Sequence, residues 1–187
     1  MFQPGDLVVY GPTGVCRVEA VTCPKPAPGE KERPYYQLRP LHQDGVIYTP
    51  ADQAKIPIRP VISAQEADAL IDEISSIHAT AYHAPSLQLL SRHYQELVRT
   101  GSCRDLAELV MSVYVKRQQA MAKGRRAGAV DERFAKQAQQ LLHSELSVAL
   151  GIPCEEVPDY IARRVEAHKS TGCLLYTSPS PRDRQKS

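Results

Sequence analysis

The chain contains 187 residues, of which 42% are apolar and 24% are charged, a composition typical of folded proteins rather than disordered ones. No apolar run approaches the roughly 18 residues of a membrane span, and the N-terminus lacks the basic and apolar regions of a secretory signal, so we expect no membrane partner. The five cysteines form an odd, widely spaced set, which predicts reduced thiols in a cytoplasmic protein rather than a disulfide scaffold.

The net charge of +2 is unevenly distributed along the chain. Residues 61–91 carry four acidic and no basic residues, whereas residues 92–126 carry eight basic and three acidic residues. The tail from Cys173 onward contributes the whole excess of positive charge. Overall charge is therefore no argument for a nucleic-acid partner, but the basic segment is considered below in its own right.

The first sixty residues read as short strands separated by turns. They hold ten of the fifteen prolines, which lack an amide donor and break helices. Between strands, Asp44-Gly45 is a strong hairpin signal. The predicted strands are Leu7–Tyr10, Val15–Thr22, Tyr35–Leu41 and Val46–Pro50. This pattern predicts a small SH3/Tudor-like β-barrel over residues 1–60.

From residue 61 onward the apolar residues recur at helical spacing. Ser63 and Glu66 form a capping box before a helix over Ala64–Ser75. A second helix is predicted to begin at Pro85-Ser86. Ser102 is predicted to cap a third helix, which ends at Lys116 and Arg117. The predicted apolar faces are Leu87, Leu90, Tyr94 and Leu97 in the second helix, Leu106, Val110, Val113 and Tyr114 in the third, and Phe134, Ala138, Leu141, Leu142 and Leu146 in the fourth. Pro153 fits the first turn of a fifth helix that reaches about Ala167.

The fold class is therefore α+β: a small barrel over 1–60, then an all-α domain of about five helices over 61–169. Residues 170–187 are expected to form a disordered tail. The segment Cys173–Ser187 resembles a translated sequencing adapter fused to a truncated gene, so we expect it to be foreign and the natural C-terminus to be missing.

No signature of an enzyme is found in the sequence. Phosphate-loop, dinucleotide-binding, serine-hydrolase and zinc-protease motifs are all missing. His78 and His83 would not share a helix face, so we expect no metal and no cofactor. Cys16 is expected to be a buried small hydrophobe. The carboxylate pairs Asp131-Glu132 and Glu155-Glu156 fall in first turns of predicted helices, where they complement the helix dipole.

The basic segment 92–126 allows two interpretations. It is either a solvated face with cations at helix ends, or a surface that binds phosphates through counterion release and positions a duplex without reading its bases. Arginine outnumbers lysine in this segment, which suits bidentate phosphate contacts.

Several strings in the chain together resemble the CarD family of bacterial transcription regulators, over about residues 1–166, and are closest to clostridial and related Firmicutes versions. They are Phe2–Tyr10, Thr13–Cys16, Tyr35–Pro40, Ile47–Pro50, Arg59–Ser63 with Glu66, Val130–Phe134 and Glu145–Ile152. Their order and spacing carry the resemblance, since no single string is specific.

The resemblance implies a Tudor-like module that binds the β subunit of RNA polymerase, and a helical domain that touches promoter DNA and stabilises the open complex. Transcription-repair coupling factors share this module, but no helicase motif follows it here. The family precedent implies a monomer. Arg39, Ile47 and Tyr48 are the implied polymerase contacts, with Tyr48 at a position where some members use arginine.

A tryptophan wedge that better-studied members insert into DNA is missing, since the chain has no tryptophan. The matching position is near Leu87, which can wedge a base step but also fits the apolar stripe of its helix. We favour the core position. The remaining candidates for weak, non-sequence-specific contacts to DNA are Arg92, Arg99, Lys123, Arg125 and Arg126.

The main hypothesis is a non-enzymatic bacterial regulator that bridges RNA polymerase and promoter DNA. The alternative is an interaction adaptor that binds polymerase or another protein without contacting DNA, and the missing tryptophan favours it.

Overall fold

A computed structural model describes residues 1–23, 33–52, 55–74 and 80–174 of the chain, with side chains up to residue 167. The architecture is α+β: a five-stranded antiparallel sheet is followed by five α-helices. The strands are β1 (Leu7–Tyr10), β2 (Gly14–Thr22), β3 (Tyr35–Pro40), β4 (Ile47–Pro50) and β5 (Ile58–Pro60). The helices are α1 (Ala64–Ile74), α2 (Leu87–Thr100), α3 (Cys103–Ala122), α4 (Ala129–Leu150) and α5 (Val157–Leu174). Single 3-10 turns lie at Gly11–Thr13 and Cys154–Glu156.

The strand order in the sheet is β4-β3-β2-β1-β5. β5 pairs with β1, although most of the N-terminal module lies between these two strands in the sequence. The sequence pattern does not predict β5. Within the described residues the pairings form an open row with β4 and β5 at its edges. Closure into the predicted Tudor-like barrel therefore stays a prediction.

One face of the sheet forms a small apolar core. Val8 lies opposite Cys16, and Val18 lies opposite Leu38, and all four side chains have no exposed surface. Cys16 is the buried small hydrophobe that strand alternation predicts, and its burial raises the pKa of the thiol to about 11. Cys16 therefore stays protonated and unreactive at neutral pH.

The predicted caps position the first two helices. Ser63 Oγ accepts from the Glu66 amide at 3.2 Å, and the Glu66 carboxylate accepts from the Ser63 amide at 2.8 Å, which is the capping box expected. Ser86 Oγ accepts from the amide of Leu89 at the start of α2. Ser102 occupies the N-cap position of α3, but its side chain makes no capping hydrogen bond.

The helical domain has its own core, built mainly from α2, α3 and α4. Its largest fully buried side chains include Tyr94, Ile71, Leu106, Leu109 and Leu146. None of the helices in the described residues has both the length and the apolar character to cross a membrane.

Two residues of the predicted apolar faces are exposed instead. Leu87 is 70% exposed, because it is the first residue of α2 and lies beyond the end of the core that Leu90 and Tyr94 enter. The expectation of a core position for Leu87 is therefore wrong. Tyr114 is 51% exposed, because it lies next to Val113 and only Val113 points into the domain.

Two helix ends also differ from the sequence prediction. α3 continues past Lys116 and Arg117 to Ala122, and both cations pair with residues of α4 rather than capping a C-terminus. α5 begins after Pro153, at Val157, and continues to Leu174, past the expected end near Ala167. An isolated glycine such as Gly172 weakens a helix by only about 1 kcal/mol and does not stop it. Of the tail predicted over residues 170–187, α5 contains residues 170–174, and residues 175–187 lie outside the described residues.

The second face of the sheet packs against the helical domain. Val9 and Val15 lie opposite each other on neighbouring strands, and both are almost fully buried on this side. The backbone of Gly101, between α2 and α3, approaches Gly11, and Gly14 approaches the side chain of Leu141 on α4. A side chain at Gly14 would lie 2.9 Å from Leu141 Cδ2, so Leu141 would have to shift, and the φ of +85° at this position favours glycine.

Candidate functional site

The outer strand β4 presents the exposed aromatic side chain that the sequence singles out. Tyr48 lies opposite Gln37 of β3 and is 61% exposed. Arg39, two residues along β3, points to the same face, because side chains on a strand alternate between faces. This face of the sheet therefore brings together two of the three predicted polymerase contacts.

Ile47 does not join them. It lies opposite Leu38, whose side chain is fully buried, and it packs against the apolar core of the sheet. Ile47 is partly buried and lies on the face opposite to Tyr48. A partner at the exposed face would therefore reach Ile47 only through the strand edge.

An ion pair holds Arg39 in place on this face. Its guanidinium donates to the Glu19 carboxylate on β2, and Gln37 Nε2 donates to the same carboxylate at 2.9 Å. The hydrogen bond from Arg39 lowers the pKa of Glu19, so the carboxylate is charged at neutral pH. The result is a polar surface with Tyr48 as its large side chain, the combination of a rigid aromatic and satisfied neighbours that interfaces favour.

The basic segment divides into paired and unpaired cations. Arg104 lies near Glu73 and Glu108, and Arg99 pairs with Glu96 at 3.0 Å. The unpaired set comprises exposed side chains with no hydrogen-bond or ion-pair partner among the described residues: Arg92, Lys123, Arg125 and Arg126.

Three of these unpaired cations lie together in the connection between α3 and α4. Lys123, Arg125 and Arg126 are all exposed. The backbone amides of Lys123 and Arg125 both donate to the carbonyl of Ala120, which folds the chain back at the helix end. We call Lys123, Arg125 and Arg126 the basic turn.

Ion pairs across the two helices support the basic turn. Lys116 Nζ lies 2.6 Å from Asp131, and Arg117 pairs with Glu132, in each case joining α3 to the first turn of α4. Asp131 is buried and also accepts from the hydroxyl of Tyr94 at 2.7 Å. Burial, followed by this hydrogen bond, raises the pKa of Tyr94.

Asp131 and Glu132 lie in the first turn of α4, as the sequence predicts. Sequence reasoning did not find their partners, because the two residues of each pair are fifteen apart and on different helices.

Leu87 lies at the start of α2, where the resemblance implies a DNA wedge. Its side chain and that of Leu89 are both exposed, so an apolar tip projects from the N-terminal turn of this helix. Arg92 lies on the same helix. Arg99 is instead part of a cavity lined by Pro12 and Arg133, so the sequence-predicted cations do not all share one location.

A buried ion pair joins the sheet to the helical domain. Glu145 of α4 is 2% exposed, and its carboxylate lies 2.6 Å from the guanidinium of Arg59 on β5. The Ile62 amide and the Cys103 thiol donate to the same carboxylate. Arg59 also donates to the carbonyl of Gly101. Although burial lowers the pKa of Arg59, the bonds and charge of Glu145 hold it above its ordinary value.

Sequence reasoning missed this pair. The available signal was the placement of Glu145 among Leu142, Leu146 and Ala149, a carboxylate inside an apolar helix stripe.

The described residues hold no cluster of three or more His, Cys, Asp or Glu side chains that is placed to bind a metal ion. Cys16, Cys23, Cys103 and Cys154 are free thiols. Cys103 donates to Glu145 and is buried, and burial together with that carboxylate raises the pKa of its thiol.

A comparison with protein-family models matches residues 2–62 to the CarD-like/TRCF RID domain. The N-terminal module is therefore similar to this domain, and we call residues 2–62 the RID domain after the match. The match ends at Ile62, immediately before α1, and therefore contains all five strands and Arg59. A comparison with curated proteins finds no match.

The RID domain confirms the resemblance drawn from Phe2–Tyr10 and the other N-terminal strings. A domain of this kind fits a transcription factor that interacts with RNA polymerase. The strings Val130–Phe134 and Glu145–Ile152 lie outside the matched residues, so the resemblance of the helical domain and its closeness to Firmicutes versions stay predictions.

Proposed function

We propose that this chain is a non-enzymatic transcription regulator that docks on the β subunit of RNA polymerase through its RID domain and contacts promoter DNA through its helical domain. The observation that carries the proposal is the RID match over the sheet whose outer strand exposes Tyr48. Added binding energy in one state of the polymerase–promoter equilibrium would stabilise the open complex.

The polymerase contact is proposed on the face that holds Tyr48 and Arg39. An exposed tyrosine supplies a large contact area with little loss of conformational freedom. The outer strand β4 also has backbone groups on the side away from β3 that can pair with a strand of a partner. Tyr48 is the residue on which we expect most of this affinity to depend.

The DNA contact is proposed at the basic turn and at Leu87. Unpaired arginines and lysine lose no internal ion pair when they bind phosphate, unlike Arg104, Lys116 or Arg117. Such contacts position a duplex without reading its sequence. The exposed Leu87 can enter an unstacked base step, where it replaces the missing aromatic wedge.

The interface between the RID domain and the helical domain would let the polymerase contact position the DNA contact. Arg59 of the RID domain is bonded to Glu145 and Gly101 of the helical domain, so docking of the sheet fixes the direction of α4. A rigid connection raises the effective concentration of the helical domain at the promoter.

Polymerase docking can be tested by mass photometry of the full chain with purified bacterial RNA polymerase core enzyme. We expect one-to-one binding that Tyr48→Ala weakens about tenfold, as for a central aromatic contact. Tyr114→Ala, which removes another tyrosine that is more than half exposed, from α3, should leave affinity unchanged. Equal affinity of Tyr48→Ala and the wild type would reject this docking face.

DNA contact can be tested with Arg125→Glu/Arg126→Glu in an open-complex lifetime assay. We expect a severalfold shorter lifetime with unchanged affinity for polymerase core. Lys55→Glu/Arg163→Glu changes the net charge equally at exposed positions outside the basic turn and serves as the control. If the charge reversal leaves the lifetime unchanged while polymerase binding persists, the chain is an adaptor without DNA contact.

A further inference from the structure

Two neighbouring cavities lie along α4 at the seam between the RID domain and the helical domain. The first has a volume of about 560 Å³ and lies between Gly14, the β3–β4 connection and α4. The second, of about 520 Å³, lies between α2 and α4. Both are lined by Pro12 and Gln137, so they adjoin each other, and we call the two cavities together the seam groove. Its size is that of a small-molecule site.

The lining of the seam groove is cationic. Arg99, Arg133 and Lys136 line it, and among the described residues no aspartate or glutamate lines either of its two cavities. The cations come from two helices, and Arg133 and Lys136 are one turn apart on α4. Only Arg99 of these three cations has a carboxylate partner among the described residues, Glu96, and a cluster with this excess of positive charge favours an anionic ligand.

These cations are available to a ligand. Lys136 is exposed and has no ion-pair partner among the described residues. Arg133 stacks over the ring of Phe134 at 4.8 Å, which leaves the edge of its guanidinium free to donate. Arg99 pairs with Glu96, but both side chains are more than half exposed, and a pair of this kind is weak and exchangeable.

The remainder of the groove offers hydrogen bonds rather than charge. Gln137 and Gln140 project from α4, and Gln43 faces them from the β3–β4 connection. Amide side chains both donate and accept, which matches the edge of a nucleobase or a sugar. Ser144 also lines the groove, and its buried hydroxyl has no hydrogen-bond partner among the described residues. A hydroxyl can both donate and accept, so Ser144 adds one more polar group at this end of the groove.

We propose that the seam groove binds a small phosphorylated ligand of the nucleotide class, with the phosphates at Arg99, Arg133 and Lys136 and the nucleoside toward Gln140 and Ser144. The distance along α4 from Arg133 to Gln140 is about 10 Å, which separates a phosphate end from a nucleoside end. Because the ligand would touch both modules, its binding would stabilise their packing against each other. The site is separate from the basic turn and from Tyr48, so the proposal does not depend on polymerase binding.

The test is isothermal titration calorimetry of the full chain with ADP, with adenosine and inorganic phosphate as partial probes. We expect saturable one-to-one binding of ADP and much weaker binding of either part. Failure of ADP to bind at millimolar concentration would overturn the proposal.

Two variants test the location of the site. Arg133→Gln/Lys136→Gln removes two exposed cations and should weaken ADP binding about tenfold or more. Gln140→Trp fills the groove from an exposed position without a change in charge and should also block ADP. Lys123→Gln/Arg125→Gln, in the basic turn, is the matched control and should bind ADP like the wild type. Thermal unfolding without ligand establishes that each variant is folded.

A short DNA duplex distinguishes the source of the phosphate. ADP binding that the groove variants reduce and that DNA does not displace supports the proposal. Duplex binding that depends on Arg133 and Lys136, with no binding of ADP, would assign the groove to a nucleic-acid backbone and overturn the proposed ligand class.

Discussion

Glu145 is the most strongly constrained polar side chain of the chain's described residues. It is nearly fully buried, and its carboxylate accepts from Arg59, Ile62 and Cys103. A buried charge is tolerated only where it is paired and hydrogen-bonded, and both conditions hold here. Removal of the cation alone should therefore be more harmful than removal of the whole pair.

Arg59→Met is expected to lower the free energy of unfolding by about 3 kcal/mol, since it leaves the Glu145 carboxylate buried without its cation. Urea unfolding followed by circular dichroism measures the change. Arg59→Met/Glu145→Leu should recover part of the loss, and Arg17→Met, at an exposed strand position, should have little effect. An equal loss in the single and double variants would mean that the unpaired Glu145 carboxylate is not the cause of the loss.

His143 gives the stability a pH dependence. It lines the seam groove and is partly buried, which lowers its pKa below the ordinary value of 6.5. The unfolded chain therefore takes up a proton at this residue at a higher pH than the folded chain does. Its contribution to stability is complete above pH 6.5 and is lost as the pH falls below that value.

We expect His143→Gln to flatten the fall in unfolding free energy between neutral and mildly acidic pH. The measurement is the urea midpoint across that pH range. His42→Gln removes an exposed histidine at the same groove and is the control. An unchanged slope in His143→Gln would show that another group controls the pH dependence.

At the scale of elements, close approaches between backbone and helix position α4 on the sheet. Gly14 adopts a φ of +85° at the start of β2 and touches Leu141. Gly45, in the β3–β4 connection, also has a positive φ, of +121°, but a side chain there would meet nothing within 4 Å. Alanine substitutions at the two glycines therefore distinguish the cost of backbone strain from the cost of packing against α4.

Gly45→Ala is expected to cost about 1–2 kcal/mol through backbone strain alone. Gly14→Ala should cost up to about 1 kcal/mol more, because its methyl group forces the end of the Leu141 side chain to shift. Thermal unfolding of both variants checks the difference. Similar losses for the two would indicate that α4 moves away from β2 without penalty.

Helix faces show how far periodicity alone can be used. The pattern of α2 correctly places Leu90 and Tyr94 in the core, yet Leu87 follows the same period and is exposed. Periodicity gives the direction of a side chain but not whether a neighbouring element reaches that far. Only the packing of α3 and α4 decides where the core ends.

At the scale of the whole molecule, the RID domain is not an independent module with one buried face. Val9 and Val15 are buried on the side that meets the helical domain, while Val8 and Cys16 are buried on the other side. A sheet that is buried on both faces depends on its cover for stability. The helical domain therefore stabilises the RID domain as well as extending it.

Residues 1–62 expressed alone should expose Val9 and Val15, at a cost of about 1.5–3 kcal/mol for each side chain. We expect this fragment to melt at a lower temperature than the full chain and to bind a hydrophobic dye. The full chain should melt in a single transition. An isolated fragment as stable as the full chain would show that the interface contributes little.

The sequence by itself determined the order of elements, the α+β class, the capping box and the RID strings, because turns, caps and apolar periods are local signals. It also identified the exposed Tyr48 and the cations of the basic turn. Tertiary structure alone decided that β5 pairs with β1, that Ile47 points away from Tyr48, and that Arg59 meets Glu145. Tertiary structure also decided that Lys116 forms an ion pair with Asp131, whereas Arg133 and Lys136 line a groove. The physical reason is that a charge or an apolar side chain acquires its role from residues distant in sequence, and a single sequence does not specify which of these will be its neighbours.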